Sequence, residues 1–133
     1  MSRGVRAWAP AILWAAVLFA LSSRPTLPVP VSLGGGLDKV AHFGAFAILG
    51  FLLARAALAS HLSIVWPLLI GLLYAASDEI HQYFVPGRHA DPADWLADAL
   101  GVTVACIFVY SRRFRRNAPH DVAKERPADP IHR

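Results

Sequence analysis

The segment SDEIHQYFVPGRHADPADWLADALG, from Ser77 to Gly101, holds five of the nine acidic residues of a 133-residue chain otherwise dominated by Ala, Leu, Val and Trp. Carboxylates set among His, Lys and Arg have four common uses. They relay protons in acid–base catalysis, ligate a metal, bind a ligand, or cap helices. The side chains with chemistry to offer are Asp78, Glu79, Gln82, Arg88, Asp91, Asp94 and Asp98, joined by Asp38, Lys39 and His42 from the earlier stretch DKVAHFGAF. Asp38 and His42 stand four apart and share a helical face, with Lys39 beside them.

Capping accounts for part of this set. Asp38 after Gly34–Gly36 reads as a helix N-cap, and Asp91 before Pro92 has the same form, with proline at the first helical position. Asp94 then falls in a first helical turn, where negative charge suits the helix dipole. Asp78 and Glu79 resist this reading, because they lie toward the C-terminal end of their helix, where the dipole disfavours a carboxylate. Asp98 lies about two turns inside its helix, too deep for a cap. The pattern of faces supplies the alternative. Gly71, Ala75, Asp78, Glu79 and Gln82 share one helical face, and Asp91, Asp94, Asp98, Gly101 and Ala105 share another, so each polar ladder runs into a small-residue seam that lets a neighbouring helix approach. Arg88, in the turn marked by Pro86 and Gly87, is placed to offer a planar fork to a carboxylate or to an anionic ligand group.

These residues need a scaffold, and composition says which kind. The chain is 56% hydrophobic and 17% charged, too apolar for a soluble domain of this size. Four apolar segments stand out, Trp8–Leu21, Val40–Leu58, Leu62–Ala76 and Trp95–Tyr110. A span needs about 17 to 25 residues, so several of these must extend into their flanks or tilt little. Trp8, Trp66, Trp95 and Tyr110 stand near the ends of their runs, as in an aromatic belt. Ala59, Ser60 and His61 join the second and third segments as a tight hairpin. The expected fold is therefore all-α, an integral membrane bundle of about four transmembrane helices over residues 1–111, followed by a disordered cytoplasmic tail over 112–133. The first segment also fits a cleaved signal peptide, with Arg3 and Arg6 ahead of it and Ala20 and Ser22 near its end.

Orientation follows from the basic residues. Arg3, Arg6, Arg55, Arg112, Arg113, Arg115 and Arg116 fall on one side of a four-span chain, which the positive-inside rule makes cytoplasmic. Both termini are then cytoplasmic in a multi-pass protein of the cytoplasmic membrane, and the acidic cluster faces outward. The basic residues flank apolar runs, so the net charge of +4 implies no nucleic-acid partner. A single cysteine, Cys106, allows neither a disulfide framework nor a thiolate metal cluster.

DKVAHFGAF together with SDEIHQYFVPGRHADPADWLADALG resembles the VanZ-like family over about Leu37–Gly101. The matching positions are Asp38, Lys39, His42, Glu79, Gln82, Arg88, Asp91 and Asp94. Family members often carry Asn where this chain has Asp98. The resemblance implies a small bacterial membrane protein of the cell envelope, with a family association to teicoplanin-type glycopeptide resistance. It brings no settled catalytic mechanism.

Three function classes stay open. The favoured one is a non-enzymatic envelope protein whose outer polar cluster binds a cell-wall or lipid-linked component. The second is a membrane-embedded hydrolase or transferase acting on a lipid-linked phosphate or glycolipid, with His42 as acid or base, Glu79 or Asp94 orienting it, and Arg88 and Lys39 neutralising phosphate. The third, a transporter or proton relay, is disfavoured because the polar residues cluster at one end of the spans. Membrane lipids are the expected partners, with a cell-wall precursor or an envelope protein as further candidates. The small-residue faces also permit a homo-oligomer. No compact motif such as H-E-x-x-H is present, so no metal or other cofactor is expected; a divalent cation on Asp38, His42, Glu79 and Asp94 is the lesser alternative.

Overall fold

A computed structural model describes residues 3–25 and 34–117. The chain forms four helices, α1 (Arg3–Ser22), α2 (Gly34–Ala59), α3 (Val65–Tyr83) and α4 (Pro92–Asn117). Three of them contain stretches long and apolar enough to cross a membrane, Gly4–Ser22, Gly36–Ala59 and Pro92–Arg116. The 26 residues of α2 and of α4 extend about 39 Å at 1.5 Å per residue, more than the hydrocarbon core of a bilayer. The chain is a multi-pass helical membrane protein. α3 departs from the other three: its 19 residues end in Asp78, Glu79, His81 and Gln82, so its apolar part is short.

Cross-helix hydrogen bonds give the helix directions. Trp8 Nε1 donates to Ser60 Oγ at 3.0 Å, Tyr74 Oη to the Ala15 carbonyl at 2.6 Å and Tyr110 Oη to the Leu62 carbonyl at 2.8 Å. Successive helices alternate in direction. The C-terminal ends of α1 and α3 therefore meet the N-terminal ends of α2 and α4 at one end of the bundle. The hairpin between α2 and α3 is closed by a left-handed His61 (φ 58°), with Leu62 N–H reaching Ala57 O and His61 N–H reaching Leu58 O. These are the two bonds of a Schellman stop, made here without glycine.

The core lies between α2 and α4, which run parallel. Phe46, Leu49, Val102 and Cys106 are fully buried there. Small residues set the spacing. A Cβ on Gly50 would lie 2.7 Å from the Val102 carbonyl oxygen and 2.8 Å from Val102 Cα, and one on Gly101 would meet the Phe43 carbonyl oxygen and the Ala47 nitrogen. Both obstacles are backbone, which cannot turn aside as a side chain can. The small-residue face of α3 is buried as well, at Gly71 and Ala75.

Two boundaries differ from the sequence reading. α2 begins at Gly34, so Asp38 lies in its second turn and is no N-cap. Glycine lowers helix propensity without forbidding a helix, and propensity yields readily to the rest of the fold. α4 runs on to Asn117, six residues past the expected edge of the membrane domain, and the remaining tail, 118–133, lies outside the described residues.

The glycine contacts make a paired prediction. Gly101→Ala should lower stability by about 1–3 kcal/mol through overpacking, whereas Gly44→Ala, whose Cβ would meet nothing within 4 Å, should be neutral or stabilising by up to about 1 kcal/mol. Thermal unfolding of the two variants in detergent measures the difference, and equal midpoints would contradict the backbone contact.

Candidate functional site

The polar residues meet where four helix ends converge, and they form two networks. The first joins α2, α3 and α4. Asp91 is the N-cap of α4: its Oδ1 accepts the Ala93 N–H at 2.9 Å, and Pro92 occupies the first helical position, where the missing N–H leaves no bond unmade. The Asp91 N–H in turn donates to Glu79 Oε2 at 3.0 Å. A carboxylate from α3 thus takes the part that a capping-box Glu usually plays from within the same helix. Lys39 Nζ donates to Asp91 Oδ2 at 2.6 Å and also to Asp94 Oδ1, tying the start of α2 to the start of α4. One turn further in, His42 Nδ1 lies 3.0 Å from Asp98 Oδ1, and Asp98 is fully buried. Removing His42 would leave that oxygen without its partner, at a loss on the order of 1–3 kcal/mol.

The second network joins α1, α3 and the turn after α3. Ser22 Oγ donates to Asp78 Oδ1 at 2.5 Å, and Gln82 Nε2 donates to Asp78 Oδ2 at 2.8 Å. Asp78 is compensated by these neutral donors against a helix dipole that disfavours it. Arg88 follows Gly87, whose φ of 78° suits glycine and reverses the chain toward α1. Its guanidinium donates to the Arg24 carbonyl at 3.3 Å, the Leu21 carbonyl at 3.5 Å and Gln82 Oε1 at 3.4 Å. The expected fork to a carboxylate is replaced by a cap on the C-terminal carbonyls of α1, the negative end of that helix.

Seven residues of the sequence-derived set, Lys39, His42, Glu79, Asp91, Asp94, Asp98 and the exposed Asp38, fall in or beside the first network. Asp78, Gln82 and Arg88 fall in the second. The cations that the hydrolytic alternative assigns to a phosphate are both engaged, Lys39 by two carboxylates and Arg88 by carbonyls. His42 is partnered by Asp98 and by neither Glu79 nor Asp94. Ser22 was missed as a site residue. Its signal was a polar hydroxyl at the end of an apolar run, a position from which one helix can bond to another.

Two buried oxygens are left over. Glu79 Oε1 and Asp98 Oδ2 have no hydrogen-bond partner among the described residues. His42, Glu79 and Asp98 offer ligand atoms within 4.8 Å of one another, and so do Asp38, His42 and Asp94. These two overlapping sets are the residues here that could hold a metal. A groove of about 520 Å³, bounded by Ile64, Ile107, Tyr110, Ser111, Arg113 and Phe114, lies at the opposite end of the bundle.

Alternating helices, three apolar spans and a polar end buried between helix termini define a small polytopic membrane protein. The chain belongs to the VanZ/LLP1 family, whose profile matches residues 7–114 and so takes in all four helices. No curated protein and no solved structure matches it.

The Asp91 clamp carries a pH signature. The Lys39 ammonium, helped by the Ala93 N–H, holds the Asp91 carboxyl below the usual carboxylate range. A depressed folded-state value means that the stabilisation is complete above the unfolded value of about 4 and fades as pH falls through the folded one. Asp91→Asn keeps a capping side chain and loses the ion pair. The gap in thermal midpoint between wild type and this variant should therefore be widest above pH about 4 and shrink below it. A gap independent of pH would show that Lys39 contributes nothing through Asp91.

Proposed function

We propose that the polar end of this VanZ/LLP1 protein faces away from the cytoplasm and binds a lipid-linked component of the cell envelope. The headgroup would sit against Asp38, Lys39, His42, Glu79, Asp91 and Asp94, with the acyl or prenyl chain along the apolar sides of the bundle. The observation that carries this reading is the rim of the cluster. Leu37 (62% exposed) and Val40 (65%) near the start of α2, and Tyr83 (71%) and Phe84 (74%) at the end of α3, are open at the same end of the bundle as buried Glu79 and Asp94. An apolar rim around a polar centre matches an amphiphile, which offers both kinds of surface at once. Carboxylate oxygens predominate in the cluster and its cations are engaged, so a headgroup rich in hydroxyl, amide or ammonium donors suits it better than a bare phosphate.

The orientation rests on charge. Arg6, Arg55, Arg112, Arg113, Arg115 and Arg116 stand at the end opposite the cluster, while the cluster end has Arg24, Lys39 and Arg88, two of them engaged in internal bonds. The positive-inside rule turns the first end toward the cytoplasm.

Native mass spectrometry of protein offered polyprenyl-linked glycans, glycolipids and plain phospholipids tests the ligand. Wild type should retain a lipid-linked glycan or a glycolipid in preference to phospholipid, and Glu79→Gln should weaken that retention at least about tenfold, the loss expected for a hydrogen bond to a charged group. Equal retention of all lipids, or no effect of the variant, would remove the reading. For orientation, a cysteine placed at Arg88 should react with an impermeant thiol reagent applied from outside the cell and one at Arg115 should not; the reverse pattern would invert the topology.

A further inference from the structure

We infer that His42, Glu79 and Asp98 form a binding site for one divalent transition-metal cation, of the Zn²⁺ or Mn²⁺ class. Each residue comes from a different helix, α2, α3 and α4, and each offers a ligand atom within 4.8 Å of the other two. Convergence of acids alone would mean little. The second observation is the pair of unsatisfied oxygens: Glu79 is 8% exposed and Asp98 is 0% exposed, yet Oε1 of the first and Oδ2 of the second find no donor among the described residues. Buried carboxylate oxygens without partners are costly, and a cation is one of the few groups that satisfies two at once.

Among the described residues, neither Lys39 nor Arg88 takes that place. Lys39 is committed to Asp91 and Asp94, and Arg88 to the Arg24 and Leu21 carbonyls and to Gln82 Oε1. The other oxygen of Glu79 accepts the Asp91 N–H, an outer hydrogen bond of the kind that orients a ligand around a metal. His42 Nδ1 lies 3.0 Å from the other oxygen of Asp98, which brings these two ligands side by side. One imidazole nitrogen and two carboxylate oxygens make a mixed donor set suited to borderline divalent ions rather than to soft, thiolate-seeking ones. Three protein ligands leave a coordination position open to a water or to a headgroup oxygen. His42 also belongs to the second set, with the exposed Asp38 and the buried Asp94.

The site shares residues with the lipid-binding reading but is tested with metal alone, so either can fail without the other. Untagged protein in detergent is stripped with a chelator, re-equilibrated with Zn²⁺ or Mn²⁺, and assayed for bound metal and for thermal midpoint; Co²⁺ then serves as a spectroscopic probe of the ligand field. One equivalent should be retained per chain, the midpoint should rise as the ion ties three helices together, and Co²⁺ should give d–d bands in the visible range. Glu79→Gln and Asp98→Asn should each weaken binding at least about tenfold, while Asp78→Asn, a buried carboxylate with both oxygens bonded, should leave it unchanged. Substoichiometric retention by the wild type, an unchanged midpoint, or equal binding by Glu79→Gln would overturn the proposal. If a variant does not fold, the wild-type stoichiometry and Co²⁺ spectrum decide alone.

Discussion

The site depends on how closely α2 and α4 can lie. Their separation is set by backbone meeting backbone at Gly50 and Gly101, where any side chain would run into a carbonyl or an amide of the opposite helix. Because the helices are parallel there, the N-terminal turns of both arrive at the same level. Lys39 can then reach two acids of α4, and His42 can reach Asp98 a turn further in. In a membrane, where lipid tails are as apolar as leucine, such close packing and the polar contacts it permits are the main forces holding helices together.

The carboxylates share a neighbourhood but not a role. Asp91 caps α4 and pairs with Lys39, and Asp78 is satisfied by a hydroxyl and an amide on two helices. These groups join helix ends that would otherwise leave unsatisfied N–H and C=O groups near the membrane boundary. Glu79 and Asp98 are only half used by such bonds. The structural work is done around them, and their remaining oxygens have no partner among the described residues.

Membership of the VanZ/LLP1 family covers the whole bundle, beyond the motif-bearing stretch on which the resemblance in sequence rested. The residues of that stretch turn out to be a mixture. Lys39, Asp91 and Arg88 chiefly hold helix ends together, whereas His42 and Glu79 belong to the part with unmet bonding capacity. A shared motif here records the architecture of one end of a bundle as much as any chemistry performed there.

Periodicity and composition were enough to establish the helices, their apolar character and which faces turn inward, because a 3.6-residue repeat and a long apolar run have few other physical solutions. The same local logic identified the Asp91 cap, whose capped N–H, that of Ala93, lies two residues on, and it failed at Asp38, where α2 begins earlier than the glycines suggest. It also marked Asp78, Glu79 and Asp98 as unexplained, since their cost is visible from position alone. Their compensation was not visible. Ser22 meets Asp78 across 56 residues of chain and Asp98 meets His42 across the same separation, and Arg88 turns to the end of α1 rather than to an acid. Sequence spacing determines which groups share a helical face, but which face meets which is settled by the packing of glycine against backbone between separate helices, and only the tertiary structure decides that.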